Sequence, residues 1–385
     1  MYERVAAKHL AAHRRSILLL GPRQVGKSTL LTSLEPDLTI NLASLATFRE
    51  YVADPERLER ELDAAPATIR TVLIDEIQRV PALLDALQAI VDARPRRFRF
   101  LLSGSSARKL RRGQANLLPG RVLVEYLHPL LACELGEAFR LDAVLAHGSL
   151  PGICAEPDAA IRAHDLRSYS DVYLREEIQA EALVRDVGSY ARLLDLIAAA
   201  SGRIINLHAL SADAGVSYET ARRYLDILED TLVLFRIPAW SGSDRASFIT
   251  HPKIILFDLG VRNALLRRPL DRPLDDERGL LLEHFVGLEL RRRCGGLWPE
   301  AKLWHVRTRR GAEVDYVVEA GRELWAIEVK ASRSATERDA RALAAFAERA
   351  PRVTRRIVVF LGQRRQQFDG AEALPLADFL AELPT

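Results

Sequence analysis

At 385 residues the chain is too long for one ordinary core, which sets an expectation of two or three domains. Its 48% hydrophobic and 28% charged content describes a soluble globular protein, and no apolar run approaches the roughly 20 residues of a membrane helix. A net charge of +3 is compatible with nucleic acid without requiring it; three scattered cysteines with no CxxC pair argue against a disulfide framework or a zinc site and fit a reducing cytoplasm.

The first 24 residues have no signal-peptide pattern. SILLL (16–20) reads as a short buried strand, followed by a Gly-rich turn and a helix from Lys27. Further buried strands are LTINLA (38–43), TVLID (71–75), FRFLLS (98–103) and VLVEYL (122–127), with helical patterns such as 81–93 between them. Strands alternating with helices imply a parallel sheet covered on both faces. From about 130 to 200 the pattern is helical, with an extended break at GSLPGI (148–153). Residues 203–240 read as two short helices followed by apolar strands. HPKIILFD (251–258) opens a second α/β segment: a helix at 277–293, strands KLWHVRT, AEVDYVVE and ELWAIEVK, helix ATERDARALAAFAERA and strand RIVVFLG. The expected domains are therefore 1–130, 131–200, 201–245 and 246–385.

Gly21-Pro22-Arg23-Gln24-Val25-Gly26-Lys27-Ser28, followed by Thr29, fits GxxxxGK[ST] between a strand and a helix, the context a phosphate-binding loop requires. The glycines let backbone N–H groups turn toward phosphate, and the helix N-terminus adds partial positive charge. Lys27 is expected to reach the β- and γ-phosphates of ATP, and Ser28 to hold Mg²⁺. TVLID ends in Asp75 and Glu76: Asp75 is expected to hold the Mg²⁺ through water, and Glu76 to orient or deprotonate the attacking water. The strand FRFLLSGSS ends in serines, of which Ser103 or Ser105 suits a γ-phosphate sensor; capping a helix near Ala107 is the competing role. Arg121, after a basic stretch (Arg108, Lys109, Arg111, Arg112), is the candidate for an arginine finger serving a neighbouring subunit of a homo-oligomer, against an ordinary surface arginine.

The runs GPRQVGKSTL, LIDEIQRVP, LLSGSS, LPGRV and HPL resemble AAA+-superfamily ATPases of a large bacterial and archaeal group. In that group the ATPase is fused to a C-terminal region of uncharacterised function. The resemblance covers essentially the whole chain, through GSLPGI, SDVYLREEI (170–178), KIILFDLGVRNAL (253–265) and GLLLEHFVGLEL (279–290). Glu176 and Glu177 stand where the resemblance leads one to expect an aspartate, and no role is carried onto them.

In the middle region, residues 206–217 fit a first helix closed by a glycine turn, and Ser217 N-caps a second helix. Ala214, Val216, Ala221, Leu225 and Leu228 are the expected core, and TLVLFRIPAW the wing of a winged helix. Such a unit either lays Tyr218, Arg222 and Arg223 on DNA or acts as scaffold; Glu219, Asp226, Glu229 and Asp230 on the same helix weigh toward the second.

The C-terminal segment carries Asp315 in one strand and Glu328-Val329-Lys330 at the end of the next, the D…ExK spacing of the PD-(D/E)XK nuclease superfamily. Residues 328 and 330 face the same side of a strand. Glu283 corresponds to the helical acid often found in that fold. The resemblance implies a restriction-endonuclease-like α/β domain with Mg²⁺ or Mn²⁺ at Glu283, Asp315 and Glu328 and with Lys330 positioning water. Arg307, Arg309 and Arg310 are candidates for a phosphate backbone. Only six of the 55 basic residues are lysines, and two of them, Lys27 and Lys330, fall where a compact ammonium is wanted. Three functions compete. One is an ATP-dependent nucleic-acid enzyme, acting on DNA rather than RNA; the second is an ATP-driven regulatory or defence-type switch that binds nucleic acid or protein without cutting; the third is a motor of DNA repair or loading, whose ATPase DNA would stimulate without cleavage.

Overall fold

The structure is a computed structural model that describes residues 2–105, 120–172, 187–240, 249–309, 311–368 and 370–385. The basic stretch at 108–112, Glu176, Glu177 and Arg310 lie outside the described residues. The chain forms two compact units, Met1–Leu130 with Ile227–Val233, and Leu131–Asp226 with Leu234–Thr385.

The first unit is built on strands β1 (Ser16–Leu20), β2 (Leu38–Asn41), β3 (Thr71–Asp75), β4 (Arg99–Gly104) and β5 (Val122–Tyr126). All pair in parallel, in the order β2-β3-β4-β1-β5. Every residue of β1 is buried, as a strand covered on both faces must be. Leu18, Leu20, Val72, Ile74, Phe100 and Leu102 share one core with Leu83, Leu84, Leu87 and Ile90 of the helix Leu83–Ala93. This order sets β4 between the strand that enters the phosphate loop and the strand that ends in the acidic pair. The tip of β4 therefore meets both.

The expected helix pair is present as Leu207–Ala214 and Tyr218–Asp230. The Asn206 side chain accepts from the N–H groups of His208 and Ala209, and Gly215 turns the chain with φ 69°. Strands β6 (Arg203–Ile204), β7 (Leu234–Ile237) and β8 (Lys253–Leu256) form an antiparallel sheet in the order β6-β8-β7. The residues around 253–256 thus pair with strands on the other side of the boundary expected near 245. GSLPGI also differs from its expected extended form: Pro151 opens a short helix, Pro151–Ala155, where its missing N–H costs nothing.

The rest of the second unit has the helix Arg278–Arg293, then β9 (Ala301–Arg307), β10 (Glu313–Ala320) and β11 (Glu323–Lys330), the helix Glu337–Arg349, β12 (Arg355–Phe360), β13 (Gln366–Phe368) and β14 (Ala371–Pro375). The sheet is mixed, in the order β13-β14-β12-β11-β10-β9. Gly287 lets the helix Arg278–Arg293 lie close to β10: a Cβ there would stand 2.2 Å from Tyr316 Oη, which donates to Glu283 O at 2.9 Å.

Candidate functional site

In the first unit the loop after β1 turns through Gln24 (φ 62°) and Gly26 (φ 91°), both left-handed. Gly21 admits no side chain, since a Cβ would lie 2.2 Å from Leu127 O. Buried Lys27 donates to Gly21 O and Pro22 O at 2.9 and 2.8 Å, and Val25 O accepts from Arg4 Nη1 at 2.7 Å. Arg4 also donates to His128 O, so one guanidinium ties the loop to the residue two beyond β5. Beside the loop opens a cleft of 740 Å³, a volume within the range of small-molecule sites. Arg23, Gln24, Gly26, Lys27, Ser28 and Thr29 line one part of it; Ala43, Asp75, Glu76 and Arg79 line the rest.

The acidic pair is held by serines. Asp75 Oδ1 accepts from Ser28 Oγ at 2.8 Å and also from Ser103 Oγ. Ser103 Oγ in turn accepts the Glu76 N–H at 2.9 Å. Glu76 occupies the left-handed region (φ 60°, ψ 43°), a strained setting for a residue with a side chain and one that clusters at functional sites. Its Oε2 accepts from Gln78 Nε2, which also donates to Ser105 Oγ at 3.0 Å. Of the two serines considered as sensor, Ser103 is bonded to the acidic pair itself, and Ser105 reaches it through Gln78. Arg121 makes a two-pronged pair with Asp92, Nε to Oδ1 at 2.6 Å and Nη2 to Oδ2 at 2.8 Å, and does not line the cleft. Arg79, which lines the cleft together with Arg23, donates to Leu42 O and Ala43 O and stacks on Phe48.

The second unit brings Glu283, Asp315, Glu328 and Lys330 into one neighbourhood. Asp315 and Glu328 are almost wholly buried. Asp315 Oδ2 accepts the Val329 N–H at 2.8 Å, which binds β10 to the end of β11. Lys330 Nζ donates to Glu328 Oε1 at 2.5 Å, while Glu328 Oε2 is buried and has no hydrogen-bond partner among the described residues. A fifth residue joins them. Lys253, the first residue of β8, donates to Glu283 Oε1 at 2.5 Å and to Asp315 O at 3.1 Å. Burial, and next the charge of Asp315, push the Glu328 and Glu283 carboxyls above the ordinary carboxylate range. Burial opposes the charge on Lys253, yet Glu283 and Asp315 hold its ammonium pKa above the usual value. Among the described residues no three His, Cys, Asp or Glu side chains are grouped to hold a metal ion.

The helix-pair candidates share the helix Tyr218–Asp230. Arg222 and Arg223 are exposed, and Tyr218 stacks on His208 with ring centroids 4.2 Å apart. Arg307 and Arg309 are exposed at the end of β9, and Arg307 lies 3.7 Å from Glu313.

Residues 13–136 match the family described as an AAA domain. The protein is an ATPase. Residues 138–272 and 278–379 of this ATPase match two families described as domains of unknown function, DUF8612 and DUF4143. Uncharacterised proteins of Mycobacterium tuberculosis and Mycobacterium bovis are each 28% identical over 388 residues, covering 97% of this chain and 81% of theirs. Among solved structures, a Thermotoga maritima RuvB variant is 19% identical over 66% of this chain and 88% of its own, with a TM-score of 0.29. Domain III of the Thermotoga maritima replication initiation protein DnaA is 17% identical over 57% and 88%, with a TM-score of 0.22.

An AAA-type domain implies a nucleotide and Mg²⁺. The residues of the cleft fit both: Ser28 Oγ and Asp75 Oδ1 are already in contact, and a buried ammonium stands on the loop. Sequence reasoning passed over Gln78 and Arg79, although both stand in the quoted run LIDEIQRVP, and over Lys253. The scarcity of lysine was the available signal for Lys253, since it is one of only six.

Proposed function

We propose that the ATPase couples Mg²⁺-dependent ATP hydrolysis to work on nucleic acid, DNA rather than RNA, through a phosphodiester centre at Asp315, Glu328 and Lys330. In the first unit Lys27 binds the β- and γ-phosphates, Ser28 and Asp75 hold Mg²⁺, and Glu76 takes the proton of the attacking water while Ser103 keeps the pair in register. Mg²⁺ supplies neutralisation of phosphate charge when bound. In the second unit the observation that carries the reading is the junction of β10 and β11. There Asp315, Glu328 and Lys330 meet, and one buried carboxylate oxygen of Glu328 has no partner. A divalent ion at Asp315 and Glu328 would neutralise charge at a scissile phosphate. Exposed Arg307, Arg309, Arg222 and Arg223, with half-buried Tyr218, supply contacts for a nucleic-acid backbone. The three cysteines are free thiols, which fits a reducing, cytoplasmic setting. No helix among the described residues is long and apolar enough to cross a membrane.

The test is incubation of the purified protein with single- and double-stranded DNA and RNA in Mg²⁺ or Mn²⁺, with and without ATP. Cleavage is expected, and Lys330→Ala is expected to lower it by about 100-fold or more with ATP turnover intact. Persistence of cleavage in that variant would remove Lys330 from the reaction.

A second reading, a switch that binds without cutting, is favoured by the internal pairing of Glu283 with Lys253 and Glu328 with Lys330. It predicts ATP turnover with no cleavage of any substrate. For the homo-oligomer, a finger role for Arg121 requires it to leave Asp92. Arg121→Ala is then expected to lower kcat at least about 10-fold with unchanged ATP affinity. Equal turnover would reduce Arg121 to the partner of Asp92.

A further inference from the structure

Lys253 is 1% exposed, which is rare for a lysine, and the first unit's chemistry makes no use of it. Its ammonium faces oxygen atoms from three residues. Glu283 Oε1 is at 2.5 Å, the carbonyl oxygen of Asp315 at 3.1 Å and Glu313 Oε1 at 3.8 Å. The face of the Tyr316 ring closes a fourth side at 4.8 Å. Two carboxylates and one carbonyl are the donor set that a hard divalent cation takes. The oxygens come from two elements, the helix Arg278–Arg293 and β10, and β8 supplies the cation that joins them. The neighbouring oxygens, Glu328 Oε2 and those of Asp315, lie at the junction of β10 and β11 and have Lys330 on their far carboxylate oxygen, Glu328 Oε1.

We infer that Lys253 is a resident cation of the C-terminal centre: its ammonium fills the place at Glu283 that a divalent ion would otherwise take. The centre therefore admits one divalent ion, at Asp315 and Glu328, rather than two. The single-ion part rests on the phosphodiester reading above; the part that concerns Lys253 does not. Methionine keeps the length and apolar stem of lysine but not the charge. In Lys253→Met the three oxygens face each other without a cation, and a divalent ion is the species of matching chemistry that can enter.

The experiment is thermal unfolding and Mn²⁺ binding by the nucleotide-free full chain, in wild type, Lys253→Met, Lys253→Met with Glu283→Gln, and Asp315→Asn. Lys253→Met is expected to lower Tm by about 10 °C in EDTA and to recover most of it in Mn²⁺. It is also expected to bind one more Mn²⁺ than wild type. The double variant, in which the unpaired charge is gone, is expected to be stable in EDTA and to lose the extra ion. Any Mn²⁺ taken up by the phosphate loop is common to all four proteins and cancels. If Lys253→Met does not fold in EDTA, refolding it in Mn²⁺ reads the same property. Failure of Mn²⁺ to stabilise or refold Lys253→Met, when the double variant folds, overturns the inference. An Asp315-dependent ion in wild type is read separately: its absence would sink the phosphodiester reading and leave the result for Lys253 standing.

Discussion

Glu76→Gln is expected to lower ATP turnover by about 10²–10⁴-fold while nucleotide affinity stays within about threefold of wild type. The amide has the size of the carboxylate and keeps an oxygen for Gln78 Nε2, but it cannot take a proton from water. Nucleotide is gripped elsewhere, by the loop and by Lys27, so binding survives the change. Lys27→Ala gives the opposite pattern, with loss of both affinity and turnover, because the ammonium is buried on the loop itself and alanine removes its charge from the phosphates. Steady-state turnover with a fluorescent-nucleotide titration separates the two. Normal turnover in Glu76→Gln would remove Glu76 from the mechanism. The left-handed backbone at Glu76 makes the contrast sharper, since a residue held in strain by Ser103 beneath it is already aimed, and its loss is not compensated by a neighbour.

The parts of this cleft that were legible in the sequence are those in which chemistry and local structure coincide. β1 and β3 were read to the residue because a buried parallel strand is a short apolar run ended by polar residues. The phosphate loop is a contiguous motif, and its glycines have local reasons. Arg121 shows the limit. Its place just before β5 suggested a finger, yet it is paired with Asp92, 29 residues earlier on the helix Leu83–Ala93, and no local spacing encodes that contact. Arg4 and its bond to Val25 O are of the same kind. In the second unit Glu328 and Lys330 were legible because two residues apart on a strand means one face. Lys253 was not: it heads an apolar strand, where an end lysine reads as solvated, and its partners stand 30 and 62 residues away. The pairing of β8 with β6 is of the same kind, since it spans about fifty residues of sequence.

Asp258→Ala is expected to destabilise the second unit by about 3–5 kcal/mol, among the largest effects of any single change in the chain. The sequence runs GSLPGI and KIILFDLGVRNAL, far apart in the chain, are tied together at this residue. Asp258 is completely buried; its Oδ2 accepts the Ser149 N–H at 2.8 Å and its Oδ1 the Val261 N–H at 3.1 Å, the latter capping the helix Leu259–Leu265. Gly148, with φ 73°, has no room for a side chain, since a Cβ would lie 2.0 Å from Asp258 Oδ1. Asn263 Nδ2 completes the link by donating to Leu145 O and Ala146 O. Burial pushes the Asp258 carboxyl above its usual range, against which the Ser149 N–H and the nearby Arg292 guanidinium favour its charged form. Alanine leaves the buried N–H groups of Ser149 and Val261 without their acceptor and removes the charge beside the Arg292 guanidinium, and asparagine, which keeps the shape but turns an N–H toward one of those donors, is expected to fall between alanine and wild type. All four tryptophans, at 240, 298, 304 and 325, belong to the second unit, so tryptophan fluorescence during urea unfolding reads this unit and not the first. Amide exchange at Ser149 and Val261 gives an independent check. Unchanged protection at both in Asp258→Ala would mean that the two runs are held together by something other than this carboxylate.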